Sequence, residues 1–166
     1  MAVIVVDYGA GNLKSCAKAL VAAARDSGAE IAVTADPDAV RKAERIVLPG
    51  VGAFADCKRG LEAHPGLTEA LNDAVIDGGK PSLGICVGMQ LLATTGIEYG
   101  VHKGLGWIDG EVRVIEPLDA SLKIPHMGWN TLDMLRPHPL LDGIATGDKG
   151  LHAYFVHSFA MRTASE

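Results

Sequence analysis

Residues 81–90 read Pro81-Ser82-Leu83-Gly84-Ile85-Cys86-Val87-Gly88-Met89-Gln90. A strand-like run leads into a cysteine, and a helical stretch follows it. Glycines stand two residues before and two after Cys86. This spacing marks a sharp strand-to-helix turn, because a bulky side chain there would block the close approach of the backbone. Such a turn lifts the thiol out of the sheet and sets it at a helix N-terminus. Backbone N–H groups and the helix dipole at that point favour a thiolate and can cradle an oxyanion. The competing reading of Cys86 is a buried structural cysteine, the commoner fate of a free thiol.

The flanking segments put this turn into an alternating α/β pattern. Ala2–Val6 is a continuous β-branched run, as in a strand buried on both faces. After the loop Asp7-Tyr8-Gly9-Ala10-Gly11, Asn12 caps a helix whose apolar face is Leu13, Ala17, Leu20, Val21 and Ala24, and Ser27-Gly28 ends it. Glu30–Thr34 reads as a second strand, and Asp36-Pro37 has the cap-then-proline pattern of a short helix. Arg45–Leu48 is a third strand running into Pro49-Gly50-Val51-Gly52; two short helices separated by His64-Pro65 follow, and Gly78-Gly79-Lys80-Pro81 precedes the cysteine strand. The rhythm predicts an α/β fold, an open and mostly parallel sheet with helices on both faces. Past Gly96 the pattern changes to short strands over Gly104–Glu116 and Ile124–Leu132, a Pro/Gly-rich connection over Leu135–Gly150, and a last strand over His152–Ala160. With no helix after that strand, part of one sheet face is expected to lie uncovered.

A length of 166 residues fits one domain, 1–166, able to bury about 70% of its unfolded surface. The composition, 48% apolar and 21% charged, is that of a globular protein. A formal net charge of −5 without any Lys/Arg run argues against nucleic acid as a partner. Cys16, Cys57 and Cys86 are irregularly spaced and odd in number, which suits a reducing compartment. The first apolar run lacks a basic n-region, and no stretch reaches the roughly 18 apolar residues of a membrane span. The expectation is a soluble cytoplasmic protein, without membrane contact. Histidines and cysteines show no metal-ligand spacing, and no cofactor is expected.

Five blocks, in this order, carry a family resemblance: Asp7-Tyr8-Gly9-Ala10-Gly11-Asn12-Leu13, Leu48-Pro49-Gly50-Val51-Gly52-Ala53-Phe54, Gly84-Ile85-Cys86-Val87-Gly88-Met89-Gln90, Pro125-His126-Met127-Gly128-Trp129-Asn130 and Tyr154-Phe155-Val156-His157-Ser158. Together the sequence resembles the glutamine amidotransferase subunits of imidazole glycerol phosphate synthases, a branch of the class I amidotransferases with a flavodoxin-like sheet. The resemblance implies that Cys86 attacks the side-chain amide of L-glutamine, giving a glutamyl thioester and ammonia, and that water then releases glutamate. It places the oxyanion donors at the backbone N–H groups of Val51 and Val87. Gly50 and Gly52 then let the strand present or withdraw the Val51 N–H. Gln90 is implied to hold the substrate, and His157 and Ser158 to support its binding. The partner implied is a (βα)8-barrel cyclase subunit in a heterodimer, met by Asn12 and by Pro125, His126, Met127, Gly128, Trp129 and Asn130, with Trp129 as anchor. Ammonia would cross into the barrel, where imidazole glycerol phosphate and aminoimidazole carboxamide ribotide form in histidine biosynthesis. By themselves, Pro49-Gly50 reads more readily as a strand-ending turn, His126 and Trp129 more readily as packing, and Gly9-Ala10-Gly11 as a weak dinucleotide fingerprint.

One feature departs from the pattern. Family members complete a Cys-His-Glu triad with a His-x-Glu pair, and none of the six histidines here is followed two places on by Glu or Asp. The resemblance therefore implies a member cut short before its base, with glutaminase activity that is absent or severely reduced. Two other readings stand beside it: a non-catalytic docking module for the cyclase barrel, and a small cysteine hydrolase with a similar elbow.

Overall fold

The sheet begins at β1 (Ala2–Val6), where β-branched side chains fill positions buried on both faces. This computed structural model describes residues 1–119 and 121–164. Ala120, Ser165 and Glu166, all within the span read as one domain, lie outside the described residues. Val3 and Val5 join Val47 in a cluster covered by Leu13, Cys16 and Leu20 of α1 (Leu13–Ala23). The Asn12 side chain starts that helix by accepting from the Ser15 N–H at 3.3 Å. Ala17, Leu13 and Leu20 keep the face expected of them, but Val21 is 54% exposed and Cys16 takes its place. At about 100° per residue, position 21 is already turned off the 13-16-20 stripe.

β2 (Glu30–Thr34) pairs parallel with β1, and α2 (Pro37–Lys42) follows, its N–H at Asp38 capped by the Asp36 side chain at 3.0 Å. β3 (Arg45–Gly50) pairs parallel with the other side of β1. Two right-handed crossovers in opposite directions put α1 and α2 on opposite faces of the sheet. α2 packs against β1 and buries Val40. α3 (Phe54–Glu62) and α4 (Leu67–Asn72) add Phe54, Cys57, Leu61, Leu67, Ala70 and Leu71 to the core. Each large apolar side chain so buried contributes about 1.5–3 kcal/mol. α4 runs on into a π-helical turn over Asp73–Asp77.

β4 (Ser82–Cys86) completes a four-stranded parallel sheet of order β2-β1-β3-β4. It is the edge strand, and Leu83 and Ile85 are exposed on it. α5 (Val87–Gln90) is a single helical turn. The helical turn closes with bonds from Leu91 N–H to Val87 O and Leu92 N–H to Met89 O, and β5 (Ala93–Ile97), a strand the sequence reading did not separate, follows it. β6 (Val101–Lys103), β7 (Ile108–Val114), β8 (His126–Thr131), β9 (His152–His157) and β10 (Phe159–Thr163) follow. The expected strand over His152–Ala160 is thus two strands, interrupted at Ser158, whose carbonyl accepts from Ile115 N–H at 2.8 Å. β5 pairs antiparallel with β6 and parallel with β7 in a second sheet of order β10-β7-β5-β6, and β8 and β9 form an antiparallel ribbon.

Two compact units result: Met1–Arg113 together with the chain from Met161 on, and Val114–Ala160. The first carries the parallel sheet and Cys86. The second carries the ribbon.

Candidate active site

Cys86 ends β4 with φ 56° and ψ −121°, one of two non-glycine residues with positive φ among those described. A left-handed backbone at a non-glycine residue is strained and persists only where its surroundings impose it. Here the surroundings are glycines. A Cβ at Gly88 would run into the Leu48 carbonyl, and one at Gly84 would lie 2.5 Å from the Met89 Cα. The elbow read in residues 84–88 is therefore built, and its thiol is exposed. The helix behind it, α5, spans only four residues. Four residues carry little macrodipole, so no long helix adds its field at the thiol.

Across the β3–β4 ladder Gly50 is the register partner of Cys86, and Pro49 that of Ile85. A Cβ at Gly50 would stand 2.5 Å from the Gly88 N and 2.8 Å from the Tyr8 hydroxyl. Only glycine lets the two strand ends close to this distance. Val51 and Gly52 continue past β3, Val51 exposed and Gly52 at φ 94°. Val87 opens α5 with its side chain buried, and Gln90 closes it.

Side-chain hydrogen bonds among the described residues reach the Pro49–Phe54 segment. The Tyr8 hydroxyl donates to the Pro49 carbonyl at 2.5 Å. The Cys57 thiol donates to the Val51 carbonyl at 3.3 Å. The Glu98 carboxylate accepts from the Phe54 N–H at 2.7 Å, at the start of α3 where an anion is favoured. Tyr8 is 2% and Cys57 0% exposed. Burial, with the Cys57 and Cys86 thiols nearby, pushes the Tyr8 phenol far above its ordinary range. Burial also pushes the Cys57 thiol up. Both groups accordingly remain protonated donors at neutral pH. Neither side chain, nor Glu98, is among the site residues expected from the sequence. Tyr8 lay inside a quoted block; the buried Cys57 and the distant Glu98 carried no local signal.

The ribbon of the second unit has two unlike faces. Met127, Trp129, Tyr154 and Val156 lie on one, all more than half exposed, with the Trp129 and Tyr154 rings edge to face at 5.5 Å. Strand alternation puts His126, Gly128, Phe155 and His157 on the other. There His126 stacks on Phe155 and its Nδ1 lies 3.2 Å from His157 Nε2, while His157 Nδ1 donates to the Phe159 carbonyl at 3.0 Å.

With a nucleophile elbow facing a glycine-lined strand end, the comparison with known proteins becomes decisive. Residues 4–166 match the family model described as glutamine amidotransferase class-I. The chain belongs to the class-I glutamine amidotransferase family. Among curated relatives, the imidazole glycerol phosphate synthase subunit HisH of Brucella abortus (strain 2308) is 58% identical over 163 residues, 97% of this chain and 76% of that protein. The HisH subunit of Rhizobium meliloti (strain 1021) is 59% identical over 161 residues, 96% of this chain and 74% of that protein. A solved structure described as a crystal structure of glutamine amidotransferase superposes with a TM-score of 0.68 at 16% identity, over 98% of this chain and 75% of that one, a likeness of fold.

Placed in this class-I amidotransferase, the expected site residues divide between the units. The first unit brings together Cys86, Val87, Gly50 and Val51 and holds Gly52, Gln90 and the helix cap Asn12. The second holds Pro125, His126, Met127, Gly128, Trp129, Asn130 and His157 on or beside the ribbon, with Ser158 just after it.

Proposed function

We propose that this chain supplies ammonia from L-glutamine to a (βα)8-barrel cyclase subunit, with which it forms a heterodimer. The Cys86 thiolate attacks the γ-amide carbon; the S–C bond forms, the C–N bond breaks, and the departing nitrogen leaves as ammonia after taking a proton. Water then cleaves the thioester to glutamate. The observation carrying this reading is the exposed Cys86 at positive φ, opposite Gly50. N–H groups of Val51 and Val87 receive the developing oxyanion. Gly50, Gly52 and Gln90 of the first unit hold the substrate. The ammonia is used to make imidazole glycerol phosphate and aminoimidazole carboxamide ribotide in histidine biosynthesis, a lyase-coupled step located in the cytoplasm. Three free cysteines suit that reducing setting. Asn12 and Pro125–Asn130 meet the cyclase, a reading supported by the exposed apolar face that holds Met127 and Trp129.

The 166 residues contain no His-x-Glu pair to move protons. We infer that this chain alone hydrolyses glutamine slowly or not at all. The same observation favours one second reading, a docking module that binds the barrel without turnover. Glutamate release is measured with and without the cyclase subunit and a ligand of that subunit. Stimulated release that Cys86→Ala abolishes supports a working amidotransferase, whereas binding without release supports the module. No binding and no release would overturn both.

A further inference from the structure

We propose that Tyr8 and Cys57 are positioning residues that clamp the Pro49–Gly52 segment at the carbonyls of Pro49 and Val51, on either side of the peptide that carries the Val51 N–H. The inference rests on the reading of Val51 as an oxyanion donor and of Cys86 as nucleophile.

The geometry is specific. Tyr8 follows β1 and reaches across to the last turn of β3, donating to Pro49 O at 2.5 Å. Cys57 lies on α3, six residues beyond Val51, and donates to Val51 O at 3.3 Å. The two anchored carbonyls bracket Gly50, whose α-carbon faces the Tyr8 hydroxyl and the Gly88 N. α3 itself is seated on the Tyr8 backbone: a Cβ at Gly60 would come within 2.6 Å of the Tyr8 carbonyl. Both donors are buried in an apolar core, where their hydrogen bonds resist exchange with water and where an orphaned carbonyl is costly. Neither side chain reaches the reacting atoms in this role. They fix the two ends of a short segment and so set where the Val51 N–H between them stands.

The test separates oxyanion support from simple thiol reactivity. The γ-p-nitrophenyl ester of L-glutamate acylates Cys86 with loss of p-nitrophenolate, a leaving group that needs no proton, so the burst reports attack at a carbonyl without demanding a general acid. Alkylation of Cys86 by iodoacetamide, read by peptide mass mapping, needs no oxyanion donor. Tyr8→Phe and Cys57→Ala are each expected to slow the burst about five- to tenfold while the Cys86 alkylation rate stays unchanged. Cys57→Ser, which keeps a donor, should restore most of the burst rate. Equal slowing of both reactions, or no change in the burst, would overturn the clamp. A wild-type chain with no Cys86-dependent burst would overturn the glutaminase reading itself, and the clamp with it.

Discussion

Gly50 and Cys86 are register partners across the parallel β3–β4 ladder, and a Cβ on Gly50 would stand 2.5 Å from the N of Gly88. The nucleophile and the strand proposed to supply its oxyanion donor are therefore set by the same hydrogen-bonded pair of strands. Their relative position depends on backbone, not on side-chain rotamers, which is the condition for a preorganised site.

The elbow should not accept a methyl group. Gly88→Ala drives a Cβ into the Leu48 carbonyl, and backbone must move to relieve it. A loss of about 2–4 kcal/mol of stability is expected, measured as a shift in the urea midpoint.

The three thiols should differ in reactivity by access. Cys86 is exposed, Cys16 half-buried and Cys57 buried. Limiting iodoacetamide is expected to modify Cys86 at least about tenfold faster than Cys57 in the folded chain, with the difference vanishing in denaturant. Peptide mass mapping reads both.

Stability should fall in mild alkali. Burial raises the Cys57 thiol, so the folded chain holds that proton at a pH where the unfolded chain has lost it. The contribution is complete below the ordinary thiol range and is lost as pH rises through the folded value. Urea midpoints between pH 7 and 10 should decline, and Cys57→Ser should flatten the decline by removing the titrating group.

The ribbon face should matter for partnership more than for folding. Trp129 is 71% exposed and touches Tyr154 edge to face. Trp129→Ala is expected to cost under about 1 kcal/mol of stability but about 2 kcal/mol or more of cyclase binding, some 30-fold in Kd. Calorimetric titration against the cyclase subunit checks the second figure.

Much of the parallel sheet was legible because its signals are local. The apolar run of β1, the Asn12 and Asp36 caps and the glycine at 84 each act within a few residues of where they stand. The errors fell where the decision is tertiary. Residues 93–97 follow a helical turn closely and show no strand alternation of their own, and it is pairing with β6 and β7 that makes them a strand. Ser158 splits one apolar run into β9 and β10 through a bond from Ile115, 43 residues away by their numbers. In the site, the elbow was legible while its supports were not. Tyr8, Cys57 and Glu98 reach Pro49, Val51 and Phe54 from separate elements, and no spacing in the sequence announces those contacts.

The most direct test is to trap the acyl-enzyme. The chain is mixed with the γ-p-nitrophenyl ester of L-glutamate, quenched in acid, and mapped by mass spectrometry. A glutamyl thioester on Cys86, absent in Cys86→Ala, is the expected result. No adduct, or an adduct confined to Cys16 or Cys57, would contradict the assignment of Cys86 as the nucleophile.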